Sequence, residues 1–577
     1  MSADILARAQ AWAQHPAIAP NDREEITTLI QNLPGSEAEL TERFHKGLEF
    51  GTGGLRGILG MGENRVNRYT IRRAAQAFAM TLQKHYPQGS SVVVSYDCRN
   101  GSREFAEETL KVMAAFGIKG KIFPQLTPTP MLSFAIRYYK AQGGVMVTAS
   151  HNPPKYNGYK VFWSDGGQVV PPMDQEIIQN YNALTDWSAL KFLDLEVARK
   201  QNLVTDTGPE VDEAFYAMIE KTVTLDHELC QTRGKELKVV FTPLHGTALV
   251  PCETIVKRLG FTTLTTIAAQ AKPDGNFPTV KYPNPEEPAA LKMAVDEMLA
   301  TNADIVFGSD PDGDRLGVVA NHKGTPFYIN GNQLGALFLH YVFKTRKARG
   351  LLPVNPLVVK SIVTSPVQDA IVHKFGGTIM ATLTGFKWMA DLIRRLEEEN
   401  SKYNFVFASE ESFGYMPHNA SRDKDGVSSM ALMCEIALHY KTKGMTLLDA
   451  MDEIAEEYGF FMEHLVSLDY EGIEGSKKIK RIMNHFRELK APEITGLKVQ
   501  KIVDFEKPDS GLPASNVIGF TFTNGDQLFL RPSGTEPKIK FYIMVGERDG
   551  ALPEKKARAK AKIEALTSFI HAACNEV

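Results

Sequence analysis

An α/β protein of three similar α/β domains, with mixed, largely parallel sheets and a smaller C-terminal α+β domain around one central cleft, is predicted by two features of the sequence. One is a strand-to-polar-loop unit that recurs in groups of three. The other is a change of composition near residue 461, where strand-like and basic helical stretches replace that repeat. A length of 577 residues permits several domains, each with its own core. The expected boundaries are a helical extension over 1–45, α/β domains over 46–210, 211–325 and 326–460, and the α+β domain over 461–577.

Residues 1–23 place Asp4, Arg8, Asp22 and Arg23 around a short apolar stripe, which predicts one amphipathic helix and not a signal peptide. A hydrophobic content of 43%, a charged content of 23% and a net charge of −3 describe an ordinary globular chain with no general attraction to nucleic acid or acidic membranes. Runs of about 18 apolar residues, which a membrane span needs, do not occur. Five scattered cysteines without a CxxC pair are expected to be reduced, buried thiols in a cytoplasmic protein. No obligate protein partner is evident.

The segment Gly51-Thr52-Gly53-Gly54-Leu55-Arg56-Gly57 gathers four glycines around Arg56, so backbone can approach a ligand there, although a flexible turn reads equally well. The repeat then begins. Strands near 92–94, 121–123 and 144–147 run into Asp97-Cys98-Arg99, Thr127-Pro128-Thr129-Pro130 and Ser150. In the second copy, strands near 239–241, 262–267 and 305–307 lead to Thr242-Pro243-Leu244-His245-Gly246, Lys272-Pro273-Asp274-Gly275 and Ser309-Asp310. A third copy has strands near 357–360, 378–381 and 405–407 before the run Ser361 to Ser365, Thr384-Gly385-Phe386-Lys387 and Ser409-Glu410. Strands alternating with helices imply parallel pairing, with ligands outside the carboxyl ends of the strands.

Four of these loops carry chemistry. The first is Thr148-Ala149-Ser150-His151-Asn152-Pro153, where a strand delivers a serine hydroxyl beside His151, Lys155 and Lys160. The second is Asp310-Pro311-Asp312-Gly313-Asp314-Arg315, whose three alternate carboxylates can converge on one hard cation. An EF-hand is disfavoured because its glycine and glutamate positions would be Arg315 and Asn321, and a solvated acidic turn is the other reading. The third, Glu410-Glu411-Ser412, suits sugar hydroxyls or helix capping alike, and in Arg422-Asp423-Lys424-Asp425-Gly426, which follows it, Lys424 sits between two aspartates and reads locally as a surface ion pair. In the fourth, Arg531-Pro532-Ser533-Gly534-Thr535, arginine, hydroxyls and a glycine turn suit a phosphate cradle, with a plain hairpin turn as the alternative.

These four motifs, one per domain and in this order, resemble the α-D-phosphohexomutase superfamily over nearly the whole chain. The Gly51–Gly57 segment and the ending from Arg531 to Tyr542 look closest to the bacterial α-phosphoglucomutase branch, which is shared with animal phosphopentomutases. The resemblance implies a phosphosugar substrate, Mg²⁺, and glucose 1,6-bisphosphate as activator and intermediate. It implies Ser150 as phosphoserine and a fourth metal ligand beside Asp310, Asp312 and Asp314, with Arg315 next to them. His151, Arg56, Lys160 and Lys424 become catalytic candidates, Lys424 for proton transfer. Thr384, Gly385, Lys387, Glu410, Ser412, Arg422, Arg531, Ser533, Gly534 and Thr535 become substrate contacts. A hydrolase, or a silent sugar-phosphate sensor, is the contrasting expectation.

Overall fold

The computed structural model describes residues 1–470, 472–533 and 538–577. Chain contacts divide it into two compact units, one of 1–328, 390–400 and 414–438, the other of 329–389, 401–413 and 439–577.

The first unit opens with three helices, Ala3–Gln14, Pro20–Gln31 and Glu37–Phe44. The single helix expected over 1–23 is thus two, because a proline fits the first turn of a helix but not its interior. Pro16 lies in the break and Pro20 begins the second helix. Trp12, Ile26, Leu40 and Phe44 bury that stripe in a cluster of their own with Tyr69.

Six strands follow: β1 (Gly54–Ile58), β2 (Ser91–Tyr96), β3 (Lys119–Ile122), β4 (Gly143–Val147), β5 (Tyr156–Trp163) and β6 (Val204–Asp206). They form one mixed sheet in the order β1-β5-β4-β2-β3-β6. β2 runs parallel to β3 and β4, while β5 is antiparallel to β4 and β1. Val92, Val94, Val145, Val147, Val161 and Tyr159 pack against Phe78 and Leu82 of the helix Arg68–His85. At the position of Gly158 a Cβ would lie 2.6 Å from the Thr148 carbonyl oxygen and 2.7 Å from that of Leu55, so only glycine lets β1 and the serine loop close on β5.

The second sheet contains β7 (Val239–Thr242), β8 (Leu264–Thr266), β9 (Ile305–Ser309), β10 (Leu316–His322) and β11 (Thr325–Ile329), in the order β11-β10-β9-β7-β8. β7 is parallel to β8 and β9, and β10 returns antiparallel along β9.

In the second unit β12 (Pro356–Ser361) pairs in parallel with β13 (Thr378–Thr382) and β14 (Asn404–Glu410). The short β15 (Gly414–Met416) belongs to the first unit, where Gly414 bridges Arg315. The C-terminal sheet, with β16 (Phe460–Asp469), β17 (Glu493–Ile494), β18 (Leu497–Asp504), β19 (Ile518–Phe522), β20 (Gln527–Pro532) and β21 (Lys538–Glu547), is antiparallel in the order β16-β21-β20-β19-β18-β17. The helices Gly472–Glu488 and Leu552–Asn575 cover it through Ile482, Phe486, Ile563 and Ile570. Among the described residues no helix is long and apolar enough to cross a membrane. All five cysteines are free; four are buried, and Cys98 is half-buried instead of buried as expected.

Candidate active site

β4 is buried throughout and ends against Thr148, Ala149 and Ser150. Ser150 has φ +50°, a left-handed conformation that costs a non-glycine residue energy and persists only where neighbours over-determine it. Those neighbours are specific. The Ser150 amide donates to Thr148 Oγ1 at 2.8 Å, and Thr148 Oγ1 donates to Asp97 Oδ2 at 2.7 Å. The buried Arg99 guanidinium donates to the carbonyls of Ser150, Asn152, Pro153 and Tyr156 and pairs with Asp97 at 3.3 Å. The loop is therefore held by its backbone, which leaves the serine hydroxyl for chemistry. Ser150 Oγ lies 2.9 Å from Asp310 Oδ2 and 3.2 Å from His151 Nδ1. Burial, then the guanidinium groups of Arg315 and Arg56, hold His151 well below the usual imidazole range, so it is neutral at neutral pH.

The loop after β9 carries Asp310, Asp312 and Asp314, all fully buried or nearly so. One carboxylate oxygen from each lies within 4.8 Å of the others. Asp310 Oδ1 accepts from the amides of Asp314 and Arg315 at 3.2 and 3.1 Å. Burial and the two neighbouring aspartates push Asp310 well above the usual carboxylate range. Burial acts on Asp312 in the same direction, but the Lys160 ammonium, a hydrogen bond with Asp310 and the charge of Lys424 together hold Asp312 below that range. Lys160, on β5, places Nζ 2.7 Å from Asp312 and 3.4 Å from Asp314. Lys424 Nζ is 3.0 Å from Asp314 and 3.4 Å from Asp423. Two ammonium groups thus neutralise the triad.

Asp312 Oδ1 and Asp314 Oδ1 remain buried with no hydrogen-bond partner among the described residues. Orphaned oxygens of this kind need a partner, and an all-oxygen donor set suits a hard divalent cation.

Arg56, on β1, reaches the serine loop by donating from Nη1 to Asn152 Oδ1 at 2.8 Å. Arg315 pairs with Glu286, and its Nε stands 3.9 Å from Asp310. The Lys424 loop is tied to the metal loop through Gly426, whose amide donates to the Gly313 carbonyl at 3.2 Å. Asp425 accepts from the Ser428 amide at 2.8 Å in the first turn of the helix Gly426–Thr442. Arg422 is fully buried and paired with Glu397.

The second unit carries a separate group. Glu410, at the end of β14, accepts from the Gly385 amide. Glu411 accepts from Ser361 Oγ at 2.9 Å, and burial with the adjacent Glu410 pushes it up to about 7. Ser412 is half-buried in the turn that follows. Thr384 Oγ1 accepts from Arg531 Nη1 at the end of β20, and Lys387 lies 4.7 Å from the Trp388 ring. The Ser533 amide donates to the Lys538 carbonyl at 2.8 Å. Gly534 and Thr535 lie outside the described residues.

Several positioning residues escape sequence reasoning. Thr129 donates to Asp312 Oδ2 at 3.1 Å, and its amide donates to the Asp312 carbonyl at 2.9 Å. Asp97, Arg99 and Thr129 all follow strand ends of the first repeat, and that position was the available signal.

Comparison with known proteins gives one consistent picture. Family models described as phosphoglucomutase/phosphomannomutase, alpha/beta/alpha domains I, II and III match residues 47–186, 213–324 and 330–458. A phosphoglucomutase of Staphylococcus epidermidis is 36% identical over 536 residues, covering 90% of this chain and 94% of that protein. One of Staphylococcus aureus is 36% identical over 524 residues, covering 88% and 91%. Among solved structures, pp63/parafusin, a phosphoglucomutase from Paramecium, aligns with a TM-score of 0.69 at 21% identity, covering 92% of this chain and 95% of that one. A putative phosphomannomutase from Thermus thermophilus aligns with a TM-score of 0.67 at 20% identity over 91% and 99%. These last two likenesses concern the fold.

Proposed function

The chain belongs to the phosphoglucomutase/phosphomannomutase family and is a phosphohexomutase, an isomerase; on that premise we propose that Ser150 carries a phosphoryl group between α-D-glucose 1-phosphate and glucose 6-phosphate. In the forward half-reaction the bond between phosphorus and Ser150 Oγ breaks while one forms to the free sugar hydroxyl. The hydroxyl gives up its proton, Oγ takes one up, and glucose 1,6-bisphosphate results. The bisphosphate turns around and returns its other phosphoryl group to Ser150.

Asp310, Asp312, Asp314 and the phosphorylated Ser150 would hold Mg²⁺, which supplies neutralisation of charge on the transferring group. The chain's own contributions follow from its geometry. The Arg99 and Asp97 network fixes the attack direction of Oγ, and such positioning is worth more in phosphoryl transfer than covalent chemistry. Neutral His151, 3.2 Å from Oγ, can hold or return the serine proton. Lys160 and Arg56 add positive charge beside the serine loop. Lys424 is an ion-pairing ammonium here, so proton exchange with the sugar requires it to give up its contact with Asp314. Glu410 and Ser412 take the sugar hydroxyls. Arg531 and Ser533, with Gly534 and Thr535, take the phosphate that does not react.

The observation that carries this reading is Ser150 Oγ, held on a strained turn 2.9 Å from a carboxylate triad with unsatisfied oxygens. Peptide mass analysis after incubation with glucose 1,6-bisphosphate tests it. Phosphate on Ser150 is expected; phosphate elsewhere, or none, refutes the assignment.

A further inference from the structure

Away from the catalytic triad, the second unit contains another group of potential metal donors, His340, Glu453 and Glu457. His340 lies on the helix Gly331–Ala348 and the two glutamates lie one turn apart on the helix Leu447–Tyr458, so both carboxylates project from one face. One ligand atom from each residue lies within 4.8 Å of the others.

Two features prepare this group for a cation. First, the imidazole is oriented. His340 Nδ1 is 3.2 Å from the Tyr458 hydroxyl, while Nε2 faces Lys344 Nζ at 3.4 Å. An ammonium only donates, so Nε2 carries the lone pair and Nδ1 carries the proton, the arrangement a metal-bound histidine adopts when its far nitrogen is fixed by a polar partner. Second, a cation already stands at the site. Lys344 Nζ bridges His340 Nε2 and Glu453 Oε1, the latter at 2.9 Å. Lys374 pairs with Glu457 at 2.7 Å. Both lysine side chains are about half exposed, 48% and 50%, and can swing into water, whereas the imidazole is buried between packed helices.

We propose that His340, Glu453 and Glu457 form a second, non-catalytic site for a divalent transition-metal ion of the zinc class, which displaces the Lys344 and Lys374 ammonium groups and pins the two helices together. One imidazole and two carboxylates form a known three-ligand donor set for zinc, with water completing the coordination. Tetrahedral zinc with bonds of about 2.0–2.2 Å holds donors roughly 3.4 Å apart, a contraction that rotation of the two glutamate side chains supplies. Mixed nitrogen and oxygen donors prefer zinc to magnesium, so the two sites select different metals.

Zinc titration of the full-length enzyme kept in excess Mg²⁺, followed by calorimetry and by Co²⁺ visible absorption, tests this. Wild type should bind one further equivalent of zinc, show a tetrahedral Co²⁺ spectrum and melt at a higher temperature. Glu453→Gln/Glu457→Gln, a change at the solvent side of the site, should lose all three effects without loss of mutase activity. Lys344→Met should bind zinc about three- to fivefold tighter, the weight of one half-exposed ion pair removed. No further equivalent in wild type, or zinc binding undiminished in the double glutamine variant, overturns the proposal, and the double glutamine variant is decisive even if His340→Gln fails to fold.

Discussion

Replacing Arg99 by methionine should disable the enzyme without touching a reacting atom. The Arg99 and Asp97 side chains are wholly buried and lie 3.3 Å apart. Removing one member of a buried pair leaves the other charge uncompensated, at a cost of about 3–5 kcal/mol. Burial already pushes Asp97 upward and Arg99 opposes it, so the variant drives Asp97 further towards protonation. The carbonyls of Ser150, Asn152, Pro153 and Tyr156 lose their donor as well, and each unsatisfied buried group adds about 1–3 kcal/mol where water cannot enter. The sum is at least about 4 kcal/mol, a large part of a domain stability of about 5–15 kcal/mol. Displacing Ser150 by about 1 Å should in addition lower kcat on the order of a hundredfold. Urea denaturation and steady-state kinetics measure both effects, and Asp97→Asn/Arg99→Met should recover part of the stability but not the rate. A loss under about 1 kcal/mol with kcat within threefold of wild type would refute this reasoning, since one buried pair alone is expected to exceed it.

Asp312→Asn removes a triad carboxylate and leaves the Lys160 ammonium only its longer contact with Asp314, so the Mg²⁺ concentration for half-maximal activity should rise at least about tenfold; an unchanged requirement puts the metal elsewhere. Arg531→Ala should lower kcat/KM for glucose 1-phosphate about ten- to a hundredfold, from loss of one charge-assisted contact worth about 1.5–3 kcal/mol, and equal kcat/KM contradicts its role as phosphate clamp. Gly158→Ala should cost about 1–3 kcal/mol in thermal unfolding, because its Cβ would meet two carbonyl oxygens at 2.6 and 2.7 Å. Glu411 is raised to about 7 in the folded state from an ordinary value near 4.5, so the folded enzyme binds more protons between those pH values. Its contribution to stability is full below about pH 4.5 and declines as pH rises towards 7; Glu411→Gln should flatten this slope, and an unchanged slope means another group titrates there.

Much of the candidate site was legible because its carboxylates are contiguous. Asp310, Asp312 and Asp314 need only one turn to converge, and the Gly313 at φ +68° that permits this turn stands in the motif. Ser150 at the end of an apolar strand is likewise a local pattern. What the sequence hides is non-local or ambiguous. Tyr156-Asn157-Gly158-Tyr159-Lys160 reads as a polar loop, yet it is the start of β5, since Gly158 admits close backbone contact and Tyr159 is fully buried. That strand, and not loop proximity, delivers Lys160 to the triad. Thr129 meets Asp312 across 183 residues, a pairing that no local pattern displays. A proton-transfer role for Lys424 requires it to keep clear of Asp423 and Asp425, yet it pairs with Asp423 and with Asp314.

The relay through Ser150 is tested most directly by isolating enzyme phosphorylated at that residue and mixing it with one equivalent of glucose 1-phosphate in the presence of Mg²⁺. One equivalent of glucose 1,6-bisphosphate is expected for each phosphoserine lost within a single turnover, and no such transfer in Ser150→Ala. Release of the group as inorganic phosphate, or a Ser150→Ala enzyme that still interconverts the two glucose phosphates at more than a few per cent of the normal rate, would contradict it.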